Sequence, residues 1–231
     1  MVTAIFPAAG RGSRMKANRN KILLELSGET ILVQTLKKFA EIDRISNLII
    51  AVAKDEIPLI TLLLESKNFS KPIQIVEGGS ERQFSIYNAI QKIPSESEIV
   101  LIHDAARPLV STETIEKVID SAIEFGGSIA AVPEKNTIKI ATSDQFVDKT
   151  LPRNLLWEIQ TPQAFRREII EKAYESAISD KFLGTDDSSL VERIGYPVKI
   201  VESESSNIKI TTPDDLLFAK EFIRRRDDGI I

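Results

Sequence analysis

The sequence predicts an α/β fold in which a mostly parallel, twisted sheet is flanked by helices. Three observations predict it. Short apolar runs recur along the 231 residues, at Val2 to Phe6, Leu48 to Val52, Ile73 to Val76, Ile99 to Ile102 and Ser128 to Val132. Helix-period segments separate several of them, and buried strands alternating with amphipathic helices imply a sheet covered on both faces. The first run passes directly into Pro7-Ala-Ala-Gly10-Arg11-Gly12-Ser13-Arg14-Met15. A strand entering a Gly-x-Gly turn presents bare backbone N–H groups where a phosphate can approach closely.

Each element has its own justification. In Glu81 to Ile93, the residues Ile86, Ala89, Ile90 and Ile93 share one face. In Thr112 to Phe125, the shared face is Ile115, Val118, Ile119, Ala122 and Ile123. The alternation breaks after Pro133: residues 134–152 carry a Thr-Ile-Lys-Ile period of two, which suits an extended arm or hairpin, though a plain surface loop accounts for it equally. Helices resume near Arg166 to Ala177 and Asp186 to Ile194, followed by strands at Val198 to Val201 and Asn207 to Thr211. A last helix follows, with Thr212 as N-cap and Pro213 at its first position. The end, Arg224-Arg-Arg-Asp-Asp-Gly, reads as a frayed, solvated tail. No linker divides the chain, so residues 1–231 are expected to form one domain with an arm at about 134–152.

Composition narrows the function. The net charge is −4, against the basic surface of a general nucleic-acid binder. The chain has no cysteine, which excludes disulfides and thiolate metal sites and suits the cytoplasm. No apolar run approaches a membrane span. A strand beginning at Val2 leaves no room for a signal segment.

Four stretches carry chemistry. The Gly10 loop has the first two glycines of a dinucleotide fingerprint, but Met15 replaces the third, and it lacks a P-loop ending. Arg14 and Lys21 add two cations to it. Gly78-Gly79-Ser80-Glu81-Arg82-Gln83-Phe84-Ser85 opens a helix. Its glycines permit close approach of a planar base and Ser85 offers a hydroxyl; a plain turn with Ser80 as N-cap is the simpler reading, and Arg82 suits a tie to a carboxylate. His103-Asp-Ala-Ala-Arg107-Pro stands at the end of a strand, where open α/β sheets bind ligands. Asp104 is a hard oxygen donor suited to Mg²⁺, and Arg107 suits a salt bridge or a phosphate. His103 reads better as a hydrogen-bonded structural histidine than as a catalytic base. Arg153, Thr161-Pro-Gln and Asn207-Ile-Lys209 complete the set.

Taken together and in order, these segments resemble the 2-C-methyl-D-erythritol 4-phosphate cytidylyltransferase family. The resemblance runs from Ile5 to about Phe222 and rests on Pro7 to Met15, Lys21, Gly78 to Ser85, His103 to Pro108, Gln160 to Gln163, Thr185-Asp-Asp-Ser-Ser and Asn207 to Leu216. It implies a Rossmann-like nucleotidyltransferase with a protruding β-arm, paired as a homodimer through that arm. It implies small-molecule substrates, with CTP as co-substrate, a polyol phosphate as acceptor and Mg²⁺ as cofactor. By the same resemblance, Arg14 and Lys21 would stabilise the transition state, and Arg153 and Lys209 would position the nucleophile. Ala8, Ala9, Gly10, Gly12, Ser13, Gly79, Ser80, Ser85 and Ala105 would line the nucleotide side. Asp104, Arg107, Thr137 and Thr161 would serve the substrates, with Asp104 on the metal. Thr137 and Arg153 would reach the partner subunit's site.

The chain departs from the family at two positions. Asn20 stands where a proline commonly precedes the lysine, and Ser206 stands where an acidic residue is common. The nearest alternatives are a ribitol 5-phosphate cytidylyltransferase and a non-catalytic nucleotide-binding protein of the same fold. The Ala-Ala after His103-Asp104 favours the methylerythritol reading. The four charged residues Arg14, Lys21, Asp104 and Lys209 together argue against a scaffold, which has no need of them.

Overall fold

The structure, a computed structural model, describes residues 1–10 and 20–230. Its centre is a seven-stranded sheet. Strands β1 (Val2–Pro7), β4 (Ile45–Val52), β5 (Ile73–Glu77) and β6 (Ile99–Ile102) form one half, in the order β6-β1-β4-β5, all parallel. Two short strands, β2 (Glu25–Leu26) and β3 (Glu29–Thr30), pair antiparallel outside this sheet. The chain runs from β1 outward through β4 to β5, then returns to place β6 on the other side of β1. The order therefore reverses between β1 and β6, and such a switch point opens a crevice at the strands' carboxyl ends.

The second half joins β7 (Gly127–Pro133), β10 (Trp157–Arg166) and β11 (Lys199–Glu202). Strand β10 lies between β6 and β7 and runs antiparallel to both, while β11 is parallel to β7. The sequence pattern does not announce β10, because Gln160, Thr161, Pro162 and Gln163 interrupt its apolar alternation. Its register against β7 shifts between Ile159 and Gln163.

Helices α1 (Ile31–Ala40), α2 (Ile57–Glu65) and α3 (Arg82–Ile90) cover the first half, and α4 (Thr112–Phe125), α5 (Arg167–Ser179) and α6 (Asp187–Arg193) the second. They divide the apolar interior into two large clusters. Phe6, Leu36, Phe39, Leu48, Leu101 and Val118 belong to one; Ile5, Ile86, Ile102, Phe165, Ile170 and Tyr174 to the other. Alternate residues of β1 and β6 feed opposite clusters, as the period-two geometry of a strand requires. The anticipated faces of α3 and α4 are buried, except that Ile123 is exposed.

Between β7 and β10 the chain projects as a hairpin of β8 (Lys139–Ala141) and β9 (Val147–Thr150), every residue of which is exposed. This is the expected arm. Two expectations need correction. Asn207 to Thr211 is an extended segment outside the sheet, because its polar groups bond loops: Ile210 N–H donates to the Ala106 carbonyl at 2.9 Å, and the Asn207 carbonyl accepts from Arg107 Nη1 at 2.6 Å. The final helix, α7 (Pro213–Asp227), continues through the supposed frayed tail. There Glu221 pairs with Arg224 and Arg225 one turn on. Its start is as anticipated, with Thr212 and Asp215 forming a reciprocal capping box.

Candidate active site

A pocket opens at the switch point, between the carboxyl ends of β1 and β6. Ala8, Ala9 and Gly10 line it from β1, and Asp104, Ala105 and Ala106 from β6. Lys21, Gly79, Ser80, Arg82, Ser85 and Lys209 complete most of the wall. Gly12, Ser13 and Arg14 lie outside the described residues.

The two glycines after β5 are required by close contacts. A Cβ on Gly78 would stand 2.5 Å from Ala9 Cβ and 3.2 Å from the Val52 carbonyl oxygen; one on Gly79 would stand 2.4 Å from Phe84 Cβ. The bare backbone thus lets the loop press against β1's extension. Ser85 turns back on this loop and accepts the Gly79 N–H at 3.0 Å. The N-cap of α3 is Glu81, with no side-chain cap bond, so Ser80 does not cap the helix.

Asp104 organises the charges. Its Oδ1 accepts from Arg82 Nε at 3.2 Å, and its Oδ2 lies 2.8 Å from Lys209 Nζ and 3.6 Å from Arg107 Nε. Burial alone would raise this carboxyl, but the charges of Arg82, Lys209 and Arg107 outweigh it and hold it well below the usual carboxylate range. Arg82 is in turn shared with Asp187, whose Oδ2 lies 2.7 Å from Nη2. Burial works against the charge on Arg82, yet Asp187 and Asp104 outweigh it and raise its pKa. Asp187 is fully buried and accepts a 2.5 Å bond from Tyr174 Oη. Sequence reasoning anticipates the tie from Arg82 to a carboxylate but neither Asp187 nor Tyr174; their only signal is a buried-face tyrosine beside a capping Asp-Asp-Ser-Ser. Three cations, Arg82, Arg107 and Lys209, thus meet two carboxylates, Asp104 and Asp187, at the pocket's edge.

His103 holds the loop rather than facing the pocket. It is fully buried, with Phe39 and Phe6 ring centroids at 4.6 and 6.3 Å. Thr161 Oγ1 accepts the Asp104 N–H at 3.0 Å and therefore has its proton free for His103 Nδ1 at 3.1 Å. That assigns the remaining proton to Nε2, which donates to the Arg107 carbonyl at 3.0 Å. Burial pushes the imidazole pKa down to about 3, so it is neutral. The structural reading of His103 thus fits, and the Thr161 hydroxyl is occupied in fixing the Asp104 backbone. Asn207 Nδ2 similarly ties Gln160 Oε1 at 2.9 Å and the Thr161 carbonyl at 2.8 Å, which delivers Lys209 to Asp104.

The remaining candidates stand apart. Arg107 and Thr161 line an adjoining groove with Arg82, Asp104 and Lys209. Thr137, on the arm, and Arg153, in the 3-10 turn Arg153–Leu155 that follows it, are exposed and do not line the pocket; Arg153 Nη1 donates to the Lys135 carbonyl at 3.1 Å. Among the described residues, no group of three or more His, Cys, Asp or Glu could hold a metal ion. A lone carboxylate such as Asp104 has the chemistry to contact a hard cation only where that cation brings its other ligands as phosphate oxygens and water. Among the same residues, no helix is long and apolar enough to cross a membrane.

The family model of 2-C-methyl-D-erythritol 4-phosphate cytidylyltransferase matches residues 2–225. The chain belongs to this family. It is 45% identical to the 2-C-methyl-D-erythritol 4-phosphate cytidylyltransferase of Caldanaerobacter subterraneus subsp. tengcongensis, over 97% of this chain and 99% of that protein. It is 47% identical to the enzyme of the same name from Geobacillus kaustophilus, over 96% of this chain and 97% of that one. The crystal structure of 4-diphosphocytidyl-2C-methyl-D-erythritol synthase from Anaerococcus prevotii superposes with a TM-score of 0.87 at 35% identity, covering 97% of this chain and 99% of that chain. That structure shares the mixed α/β architecture of this chain.

Proposed function

We propose that this chain, as one nucleotidyltransferase domain with an arm, transfers CMP from CTP to 2-C-methyl-D-erythritol 4-phosphate, releasing pyrophosphate, in isoprenoid precursor synthesis. The observation that carries the proposal is the ionised Asp104 held among Arg82, Arg107 and Lys209 at the rim of a glycine-lined pocket. Family membership supplies the substrates.

The acceptor's phosphate oxygen attacks the α-phosphorus of CTP, and the bond from that phosphorus to the β-phosphate oxygen breaks. A phosphomonoester has a second pKa of about 6, so the nucleophile is already ionised at neutral pH. No general base is needed, which agrees with a neutral His103 whose Nδ1 and Nε2 are both engaged. What the reaction requires is neutralisation and alignment of two anions. At an effective dielectric of about 20, unit charges ~4 Å apart interact by roughly 4 kcal/mol, so several cations are required. Lys21 and Arg14 would act on the phosphates of CTP, and Lys209 and Arg107 on the acceptor phosphate. Ala8, Ala9, Gly10, Gly79, Ser80, Ser85 and Ala105 would receive the nucleoside. A divalent cation held by Asp104 would supply a Lewis-acid contact to phosphate oxygens.

The protein is read as a cytoplasmic homodimer in which Thr137 and Arg153 of one subunit complete the site of the other. Their exposure on either side of the projecting hairpin supports this. The deciding experiment is pyrophosphate release by purified protein with Mg²⁺, each of four nucleoside triphosphates, and methylerythritol or ribitol phosphate. Turnover with CTP and methylerythritol phosphate alone is expected. Preference for ribitol phosphate, or CTP binding without turnover on either, overturns the assignment. Lys21→Ala should lower kcat about 10²–10³-fold while CTP affinity changes little; near-normal kcat removes Lys21 from the transition state.

A further inference from the structure

The turn that carries Lys21 is gripped by a side chain to which the mechanism gives no part. Asn20 is 3% exposed. Its Nδ2 donates to the Ala8 carbonyl at 3.1 Å and to Glu56 Oε2 at 2.8 Å, and its Oδ1 accepts the Ile22 N–H at 3.3 Å. The three bonds fix which way the carboxamide points, since turning it over would face Oδ1 with two acceptors and the NH₂ with a donor.

Both anchors lie at the carboxyl ends of neighbouring strands. Ala8 follows β1, and its own N–H donates to the Ala51 carbonyl of β4 at 2.7 Å. Glu56 ends the 3-10 turn Lys54–Glu56 that follows β4. Beyond Lys21, the Leu23 and Leu24 amides close onto the Asn20 and Lys21 carbonyls, each at 3.0 Å, and Ile22 and Leu23 are buried in the core. The lysine stem therefore leaves a turn anchored on both sides, and it lines the pocket.

We propose that Asn20 is a positioning residue for the transfer reaction: its carboxamide ties the Lys21 turn to the carboxyl ends of β1 and β4 and so sets where the Lys21 ammonium stands. The proposal rests on Lys21 acting on the transferring phosphate, as read above. The backbone at Asn20 has φ −57° and ψ 132°, and that φ is one a proline ring holds unaided. This chain thus reaches with three hydrogen bonds the rigidity that a ring would give to φ alone. Alanine at this position would supply neither, and would leave the Ala8 carbonyl and the Ile22 amide short of a partner.

The test is a double-mutant cycle, with Asn20→Ala, Lys21→Ala and the pair, alongside Asn20→Pro and Glu56→Ala. Steady-state kinetics with CTP and methylerythritol phosphate are paired with hydrogen exchange at the Ile22 amide. Asn20→Ala should lower kcat about 10–100-fold, the cost of misplacing a catalytic group by roughly 1 Å, with little change in the KM for CTP. It should have no further effect in the Lys21→Ala background, and Ile22 exchange should accelerate. Asn20→Pro, which restores φ, should recover part of the loss. Glu56→Ala deletes one bond at a partly exposed carboxylate, and it carries the test should Asn20→Ala fold poorly. An unchanged kcat in Asn20→Ala, or an equal loss with and without Lys21, overturns the proposal. If Lys21→Ala turns over normally while Ile22 exchange still accelerates in Asn20→Ala, the anchor stands and the role of Lys21 fails. If Ile22 exchange is unchanged, the anchor itself fails.

Discussion

The chain's only histidine should make its stability fall with acidity in a window where carboxylates contribute little. His103 has an ordinary pKa of 6.5 in the unfolded chain, and burial between Phe6 and Phe39 pushes it down to about 3 in the fold. The unfolded state therefore binds a proton that the folded state refuses. The full contribution of the neutral ring is present above about pH 6.5, and it is lost as pH falls from there toward 3. The slope approaches about 1.4 kcal/mol per pH unit. Between pH 7 and pH 5 the integrated loss is about 2 kcal/mol, which at a urea dependence of about 2 kcal/mol per molar lowers the midpoint by about 1 M. Asp104 loses its contribution only below its unfolded value near 3.8, outside this window. Urea denaturation at pH 7, 6 and 5 should show the decline in the natural protein and not in His103→Gln. Parallel pH dependence in the two proteins would refute the assignment of a neutral, buried imidazole.

Three further outcomes are expected. Arg153→Ala should raise the KM for the polyol phosphate and leave CTP binding nearly intact, as measured by initial rates with each substrate varied; equal loss of both affinities would point to a structural role. Gly78→Ala forces a Cβ to within 2.5 Å of Ala9 Cβ, so it should destabilise by about 1–3 kcal/mol and raise the KM for CTP, read by thermal melts and kinetics. Tyr174→Phe removes the hydroxyl donor from fully buried Asp187 and should cost about 1–3 kcal/mol in chemical denaturation; a neutral result would mean that Arg82 alone satisfies that carboxylate.

The parallel half of the sheet was legible because its strands are bare apolar runs, and α4 because its apolar stripe is wide. Strand β10 was not legible: Gln160, Thr161 and Gln163 are buried there, and their polar groups bond Asn207, His103, Asp186 and Ser188. Partners so distant in sequence leave no local period. The same reason hid the true state of Asn207 to Thr211, where Ile208 and Ile210 mimic a strand while the backbone bonds loops. At the site, residue type marked Asp104 as a hard oxygen donor and left Lys209 as an edge or solvent-facing residue; only the fold shows them 2.8 Å apart. Asn20 read as a departure from the family, and its hydrogen bonds to Ala8 and Glu56 are visible only in the fold.

The extended segment that delivers Lys209 has a consequence for how the protein comes into being. Asp104 and Arg107 belong to the middle of the chain, yet the Arg107 guanidinium rests on the Asn207 carbonyl, and Ala106 receives the Ile210 amide. During synthesis the ribosome must release residues 207–210 before the charge cluster can close. A product ending before Asn207 would lack Lys209 and the Asn207 and Ile210 contacts that close the cluster, and also the α7 residues that cover Leu26, Ile31 and Leu109. Acceptor binding, proposed for Arg107 and Lys209, thereby depends on a segment that follows 100 residues after the loop it closes on.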